Sequence, residues 1–205
     1  MTATPQLIAI LRANIGHKLT PEAAADICIA ADALLPIMPR SRIEEIEPEQ
    51  YPDYTFAIER IEDIGKEIRP LHWAHWKETE EHRHGLPFDP DYKTFIRYEQ
   101  AGRYILFTLR AEGILLGNCA MYLTRSAHTQ TLMAKEDTLY LLPKARRGQC
   151  AKRFVAYVEN SLRQLGVMEI NITVKRVNRA GRLFRLLGYR HVEDGLTKLL
   201  EAHHA

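Results

Sequence analysis

Cysteine is scarce in this 205-residue chain: Cys28, Cys119 and Cys150 are odd in number, widely spaced and unaccompanied by a CxxC or Cys/His ligand pattern. That usage argues against a disulfide framework or a zinc site and points to a reducing compartment. No apolar run approaches the roughly 18 residues that a membrane helix needs. The opening MTATPQLIAILRANIG lacks the basic start, long apolar core and small-residue cleavage site of a signal peptide. The expected location is therefore the cytoplasm, with no membrane partner. A charge excess is missing too: 28 Lys and Arg against 26 Asp and Glu leave +2, a weak field that argues against nucleic acid. There is no internal repeat and no low-complexity segment.

What is present is a chain 46% hydrophobic, long enough for one sizeable domain and a small appendage. Its basic residues are unevenly spread. Lys144, Arg146, Arg147, Lys152 and Arg153 crowd together, and Lys175, Arg176, Arg179, Arg182 and Arg185 form a second group. Such groups suit a small polyanion.

The spacing of Leu7, Ile8, Ile10 and Leu11 predicts a helix over Pro5–Asn14, ended by Gly16. Thr20-Pro21-Glu22 opens a second, running to about Leu35, with Thr20 as N-cap and Pro21 at the first helical position. Residues 37–53 are polar, contain Pro48 and Pro52, and read as a linker. The expected division is thus an N-terminal helical extension and linker over 1–50 and a main domain over 51–205. In the latter, Tyr54–Ile61 alternates like a strand, Arg69-Pro70 interrupts helical propensity, Leu71–Glu81 reads as helix, and Asp91–Gln100 as a short helix. Arg103–Arg110 and Ile114–Thr124 form a hairpin through Glu112-Gly113, and Thr131–Leu142 is a third strand closed by Pro143. Gln149–Leu165 is an amphipathic helix with Phe154, Val155, Val158, Leu162 and Leu165 as its stripe and Gly166 as its cap. Strand Glu169–Val174, helix Arg179–Leu187, strand Tyr189–Val192 and a candidate strand Leu196–Leu200 complete the order.

The segment between the third strand and the amphipathic helix carries the chemistry. Lys144-Ala145-Arg146-Arg147-Gly148-Gln149-Cys150-Ala151-Lys152 is a basic loop leading into a helix. A helix N-terminus offers unpaired N–H groups and the positive end of the dipole. Gly148 can take backbone angles closed to other residues, and Ala151 is small enough to admit a phosphate. A pyrophosphate suits this loop; a solvated surface loop is the alternative.

Pro143-x-x-Arg146-Arg147-Gly148-x-x-Ala151 resembles the pyrophosphate loop of the GNAT superfamily of acyl-CoA-dependent N-acetyltransferases. Asn178-Arg179-Ala180-Gly181-Arg182-Leu183-Phe184-Arg185-Leu186-Leu187-Gly188-Tyr189 is similar to the family's closing N-x-x-A-x-x-L-Y-x-x-L-G-F/Y motif. More narrowly, EDTLYLLPKARRG and VNRAGRLFRLLGYR are similar to acetyltransferase-like proteins of bacteriophage and prophage genomes, and IGHKLTPEAAADI resembles an N-terminal segment seen among them. The resemblance implies an α/β (α+β) fold: a central mixed, mostly antiparallel sheet flanked by helices, with the N-terminal helical extension added. It implies acetyl-CoA as co-substrate, no metal, a small-molecule or peptide amine as acceptor, and direct attack by the amine. Family members often dimerise; no segment here shows how.

The resemblance implies that Arg146, Arg147, Gly148, Gln149, Cys150, Ala151 and Lys152 hold the pyrophosphate, that Asn178 touches the CoA arm, and that the strand groups of Leu139, Tyr140 and Leu141 bind the pantetheine. Two departures stand out. The family's first loop glycine falls at Gln149, with Gly148 one place earlier. Its usual general acid, a tyrosine, is Phe184, which has no proton to give. A non-catalytic CoA-binding protein with a phage accessory role is therefore the alternative function. Base candidates are Glu136 and Asp137, the latter with the strand parity of Leu139 and Leu141, and His128 in the preceding loop. His72 and Trp76 share a helix face and are candidate walls for the acceptor; core packing and a solvated face are the alternatives. His82-x-His84 resembles a metal pair only weakly, and Cys150 has no histidine partner that would make it a nucleophile.

Overall fold

The computed structural model describes residues 5–25, 27, 37–81, 87–175 and 180–198. The chain opens with helix α1 (Pro5–Ala13). Residues 21–25 are also helical, and the Thr20 hydroxyl accepts the Ala23 N–H at 3.2 Å, as its N-cap reading requires. The rest of that expected helix, 28–35, lies outside the described residues.

The expected linker over 37–53 is instead structured. It contains helix α2 (Arg40–Glu44) and strand β1 (Glu49–Gln50), which pairs antiparallel with β2 (Thr55–Ile58). Met38 and Ile46 are buried, and the N–H groups of Ile37 and Met38 donate to the carbonyls of Ala101 and Gly102. Two prolines and a polar surface masked a few apolar side chains that anchor the segment.

Helix α3 (Ile61–Thr79) is longer than the expected Leu71–Glu81 and runs straight through Pro70. Pro70 removes the bond to the Lys66 carbonyl, but both residues are exposed, so water can satisfy that oxygen. The helix departs from helical angles at Ile64 instead. Helix α4 (Tyr92–Gln100) starts where Asp91 accepts the Thr94 N–H at 3.1 Å.

Strands β3 (Tyr104–Ala111), β4 (Ile114–Arg125) and β5 (Leu132–Leu141) follow, then helix α5 (Cys150–Gln164), strand β6 (Glu169–Asn171) and helix α6 (Ala180–Leu186). The six strands lie in sequence order, antiparallel except for the parallel β5–β6 pair. Glu112 and Gly113 both have positive φ, as a two-residue hairpin turn demands. One sheet face packs on α5, whose predicted stripe Phe154, Val155, Val158, Leu162 and Leu165 is buried throughout. The other packs on α3 and α4 through Ile64, Ile68, Leu71, Tyr104, Leu106 and Tyr140.

The expected strand Tyr189–Val192 is not one. Gly188 ends α6 in a left-handed turn, the Tyr189 N–H returns to the Phe184 carbonyl, and the two rings pack at 5.1 Å. That helix-terminating motif uses the first donor a strand would need, and Arg190–Val192 stay exposed. Leu196 is likewise exposed coil.

Candidate active site

Two irregularities of β5 create the site. First, its parallel pairing with β6 covers only Met133–Lys135, against Glu169–Asn171. From Glu136 onward the strand has a free edge. Leu142 donates its N–H to Leu116 across the sheet, so by two-residue alternation the main-chain groups of Leu139 and Leu141 face the open side. The Leu141 carbonyl there accepts Arg146 Nε at 2.7 Å.

Second, the register with β4 slips: Ala120 pairs with Thr138 but Met121 pairs with Glu136. Asp137 is the extra residue of a β-bulge, and a bulge re-aims a side chain. The parity expected for Asp137 is thereby overturned. Leu139 and Leu141 pack with the α5 face, whereas Asp137 accepts the Tyr104 hydroxyl at 2.8 Å on the α3 face. Burial raises the Asp137 carboxyl above its ordinary range, and the Tyr104 bond partly offsets this. Burial pushes Glu136 up to about 7, although the Thr173 N–H donates to it at 3.3 Å.

Three cavities run along this edge. One of about 360 Å³ lies between Leu139, Tyr140, Leu141, Arg146, Gly148, Ala151 and Lys152. One of about 320 Å³ holds Glu136, Asp137, Lys175 and Phe184. The third, about 490 Å³, holds His72, Trp76, Phe88, Phe95, Asp137 and Thr138. His75 lines all three. Its ring packs 5.4 Å from that of Tyr140, and burial lowers its pKa.

At the first cavity, α5 begins without a side-chain cap, and Gly148 sits at φ 62°. The opening N–H groups of the helix therefore lack a side-chain acceptor beside Gly148, Ala151 and Lys152. Arg146 is more committed than its motif suggests. Its guanidinium grips both carboxylate oxygens of Glu78 at 2.9 and 2.6 Å and lies 5.1 Å from the Tyr140 ring centroid. This clamps the loop onto the last turn of α3. Arg147 and Gln149 are exposed and line none of these cavities. Cys150 is buried, which pushes its thiol up and suits packing rather than attack. Asn178 lies outside the described residues, as do His82 and His84.

His72 is buried. Its Nδ1 lies 3.1 Å from the Tyr92 hydroxyl, and its Nε2 lies 3.5 Å from the Asn118 amide. Burial lowers its pKa to about 4, so it is neutral at physiological pH. Trp76 stands at the third cavity with Phe88 at 5.8 Å. His128 is in the exposed turn before β5 and lines none of the three cavities. Sequence reasoning did not assign Tyr104, Glu78, Phe88, Phe95 or the Glu80–Lys175 ion pair that spans the central cavity. Only the three- and four-residue spacing of His72, His75 and Trp76 with Thr79 signalled that face of α3.

No protein-family model matches the chain, and no curated protein does. Solved structures do. An aminoglycoside acetyltransferase from an uncultured soil metagenomic sample, in complex with trehalose, superposes with a TM-score of 0.58 at 13% identity, covering 75% of this chain and 99% of that one. A ribosomal-protein-alanine N-acetyltransferase from Brucella melitensis gives 0.56 at 15% identity, over 73% and 99%. A transcriptional regulator from Bacillus halodurans gives 0.58 at 15%, over 72% and 99%. At such identities the likeness establishes the fold alone, which this chain shares with those acetyltransferase structures.

Proposed function

We propose that this chain is an acyl-CoA-dependent N-acyltransferase that moves an acetyl group from acetyl-CoA to an amine. One observation carries the reading: the free edge of β5 opens along a cavity that ends at the uncapped N-terminus of α5. That arrangement fits an elongated molecule with a polar chain and a pyrophosphate. Gly148, Ala151 and Lys152 would receive the pyrophosphate, with Arg146 holding the loop. The Leu139 carbonyl and the Leu141 N–H would meet the pantetheine amides. The co-substrate supplies a thioester carbonyl already prone to attack.

The rest of the chemistry is proton handling by this chain. The amine nitrogen attacks the carbonyl carbon, the carbon–sulfur bond breaks, and the sulfur leaves with the electron pair. An ammonium acceptor loses two protons on the way to an amide: one reaches solvent through a base and one ends on the thiolate. Asp137, held by Tyr104 and facing the acceptor side, is suited to the first, with Glu136 beside it. His75 borders both the cofactor and acceptor cavities, where a proton passes from nitrogen to sulfur, and it replaces the acid that Phe184 lacks. The fold and the lack of a membrane-length apolar helix among the described residues are compatible with a cytoplasmic enzyme.

The second reading, a CoA-binding protein without turnover and with a phage accessory role, is favoured by Phe184, which is 5% exposed and packed on Tyr189. Calorimetric titration of acetyl-CoA into the wild type and an Arg146→Ala/Gly148→Asp variant tests both. Micromolar binding lost in the variant supports the cofactor site; absence of wild-type binding refutes both. Release of CoA thiol across a panel of amines then separates enzyme from binder.

A further inference from the structure

The cavity beyond Asp137 has a composition that selects its occupant. Its walls are Trp76, Phe88 and Phe95 together with Pro87 and Pro90, and among the described residues no lysine or arginine lines it. Phe88 packs against both Trp73 and Trp76, at 5.5 and 5.8 Å. Phe95 stacks on Tyr104 at 5.4 Å, and the Tyr104 hydroxyl bonds Asp137. The aromatic wall and the carboxylate are thus one ring apart.

Three carboxylates touch this cavity, and they are not equivalent. Glu80 is already paired with Lys175, and Asp89 is exposed at the rim. Asp137 is half-buried and has no cationic partner among the described residues; its contact is a neutral phenol. A half-buried carboxylate without a counter-charge favours one cation. Aromatic faces nearby add attraction for the same cation and area for an apolar body.

Resting on the acyltransferase reading, we infer that the acceptor is a singly charged primary amine with an aromatic or bulky apolar body. Its ammonium sits at Asp137, and its body lies against Trp76, Phe88 and Phe95. Among the described residues a polycation such as spermidine finds no second unpaired carboxylate except the exposed Asp89 at the rim, and a short aliphatic amine leaves the aromatic wall unused.

The test compares phenethylamine, butylamine and spermidine as acceptors with acetyl-CoA, reading thiol release by the full chain and by Phe88→Ala. The expected result is a kcat/KM for phenethylamine at least tenfold above the other two. Phe88→Ala should raise KM for phenethylamine several-fold more than for butylamine, with its thermal midpoint checking the fold. Equal or better use of spermidine or butylamine overturns the inference while leaving the acyltransferase reading intact. So does a KM rise that is the same for all three. If acetyl-CoA binds but no amine releases thiol, the acyltransferase reading falls and direct binding decides. The chain's two tryptophans, Trp73 and Trp76, both touch Phe88. Saturable quenching of their fluorescence by phenethylamine but not spermidine, weakened in Phe88→Ala and Asp137→Asn, upholds the site. Absence of quenching overturns it.

Discussion

Replacing Glu136 by Gln isolates what burial does to this carboxyl. The side chain accepts the Thr173 N–H at 3.3 Å, and a glutamine oxygen can accept the same bond, so the substitution removes charge and little else. Burial raises Glu136 from 4.5 to about 7, so the folded protein holds a proton there that the unfolded chain has released. The sign follows: any advantage is complete below 4.5 and is lost as pH rises through 7, because the folded state must then ionise a buried group. At about 1.4 kcal/mol per pH decade, the wild type loses on the order of 2 kcal/mol between pH 5 and pH 8 from this residue. Glu136→Gln escapes the loss. Its stability relative to the wild type should therefore improve by that amount from pH 5 to pH 8, because other titrating groups cancel in the comparison. Urea denaturation of both proteins at the two pH values measures it. An offset that is the same at pH 5 and pH 8 would show that Glu136 is solvated and that the cavity beside Thr173 does not hold it.

Asp137→Asn keeps the bulge and the Tyr104 contact but removes the base; kcat for amine acetylation should fall by about 10²- to 10⁴-fold while calorimetric acetyl-CoA binding persists. His72→Gln tests the opposite pH sign: His72 falls from 6.5 to about 4 on burial, so its stability is present above 6.5 and lost as pH drops toward 4. The variant should be less stable than the wild type at pH 7, and the gap should narrow by about 2 kcal/mol at pH 5, read from paired denaturation curves. Gly117→Ala puts a Cβ 2.2 Å from Leu141 Cδ2 and 3.0 Å from the Tyr140 carbonyl, so the Leu141 side chain must turn away and the Tyr140 carbonyl must shift by a few tenths of an ångström. A stability loss of about 1–3 kcal/mol is expected in paired urea denaturation curves, because Leu141 packs in the α5-side core.

The parts of this fold that sequence reasoning caught are those in which one element's own period decides the outcome. The α5 stripe, the β3–β4 hairpin at Glu112-Gly113 and the Gly166 and Gly188 caps each follow from local spacing and backbone angles. The misses share a different cause. Pro70 was read as a break because its residue type was weighed without the face it occupies, and on a solvated face the lost bond is replaced by water. Residues 37–53 read as polar linker because Met38 and Ile46 anchor them with only two buried side chains. The face of Asp137 was misread because a bulge belongs to a pair of strands, and no pattern within β5 announces where its register to β4 slips. The basic stretch over 144–152 is legible in the sequence as a loop leading into α5, but the commitment of Arg146 to Glu78 joins residues from two distant elements and has no local signature.

Those long-range contacts also explain why Phe184 need not mark a lost activity. Its position in α6 serves the helix end: ring and backbone meet Tyr189 in the terminating turn, which an apolar side chain satisfies as well as a tyrosine. In the proposed reaction, the proton that such a tyrosine would supply must then come from another element bordering both cofactor and acceptor. The last turns of α3 are placed to provide it. Glu78 fixes the loop through Arg146, Glu80 fixes the strand-exit segment through Lys175, and His75 lies between them with neither ring nitrogen held by a hydrogen bond among the described residues. A helix pinned at both sides keeps the half-buried imidazole at the junction of the three cavities, where, in the proposed reaction, it would take a proton from nitrogen and return it to sulfur.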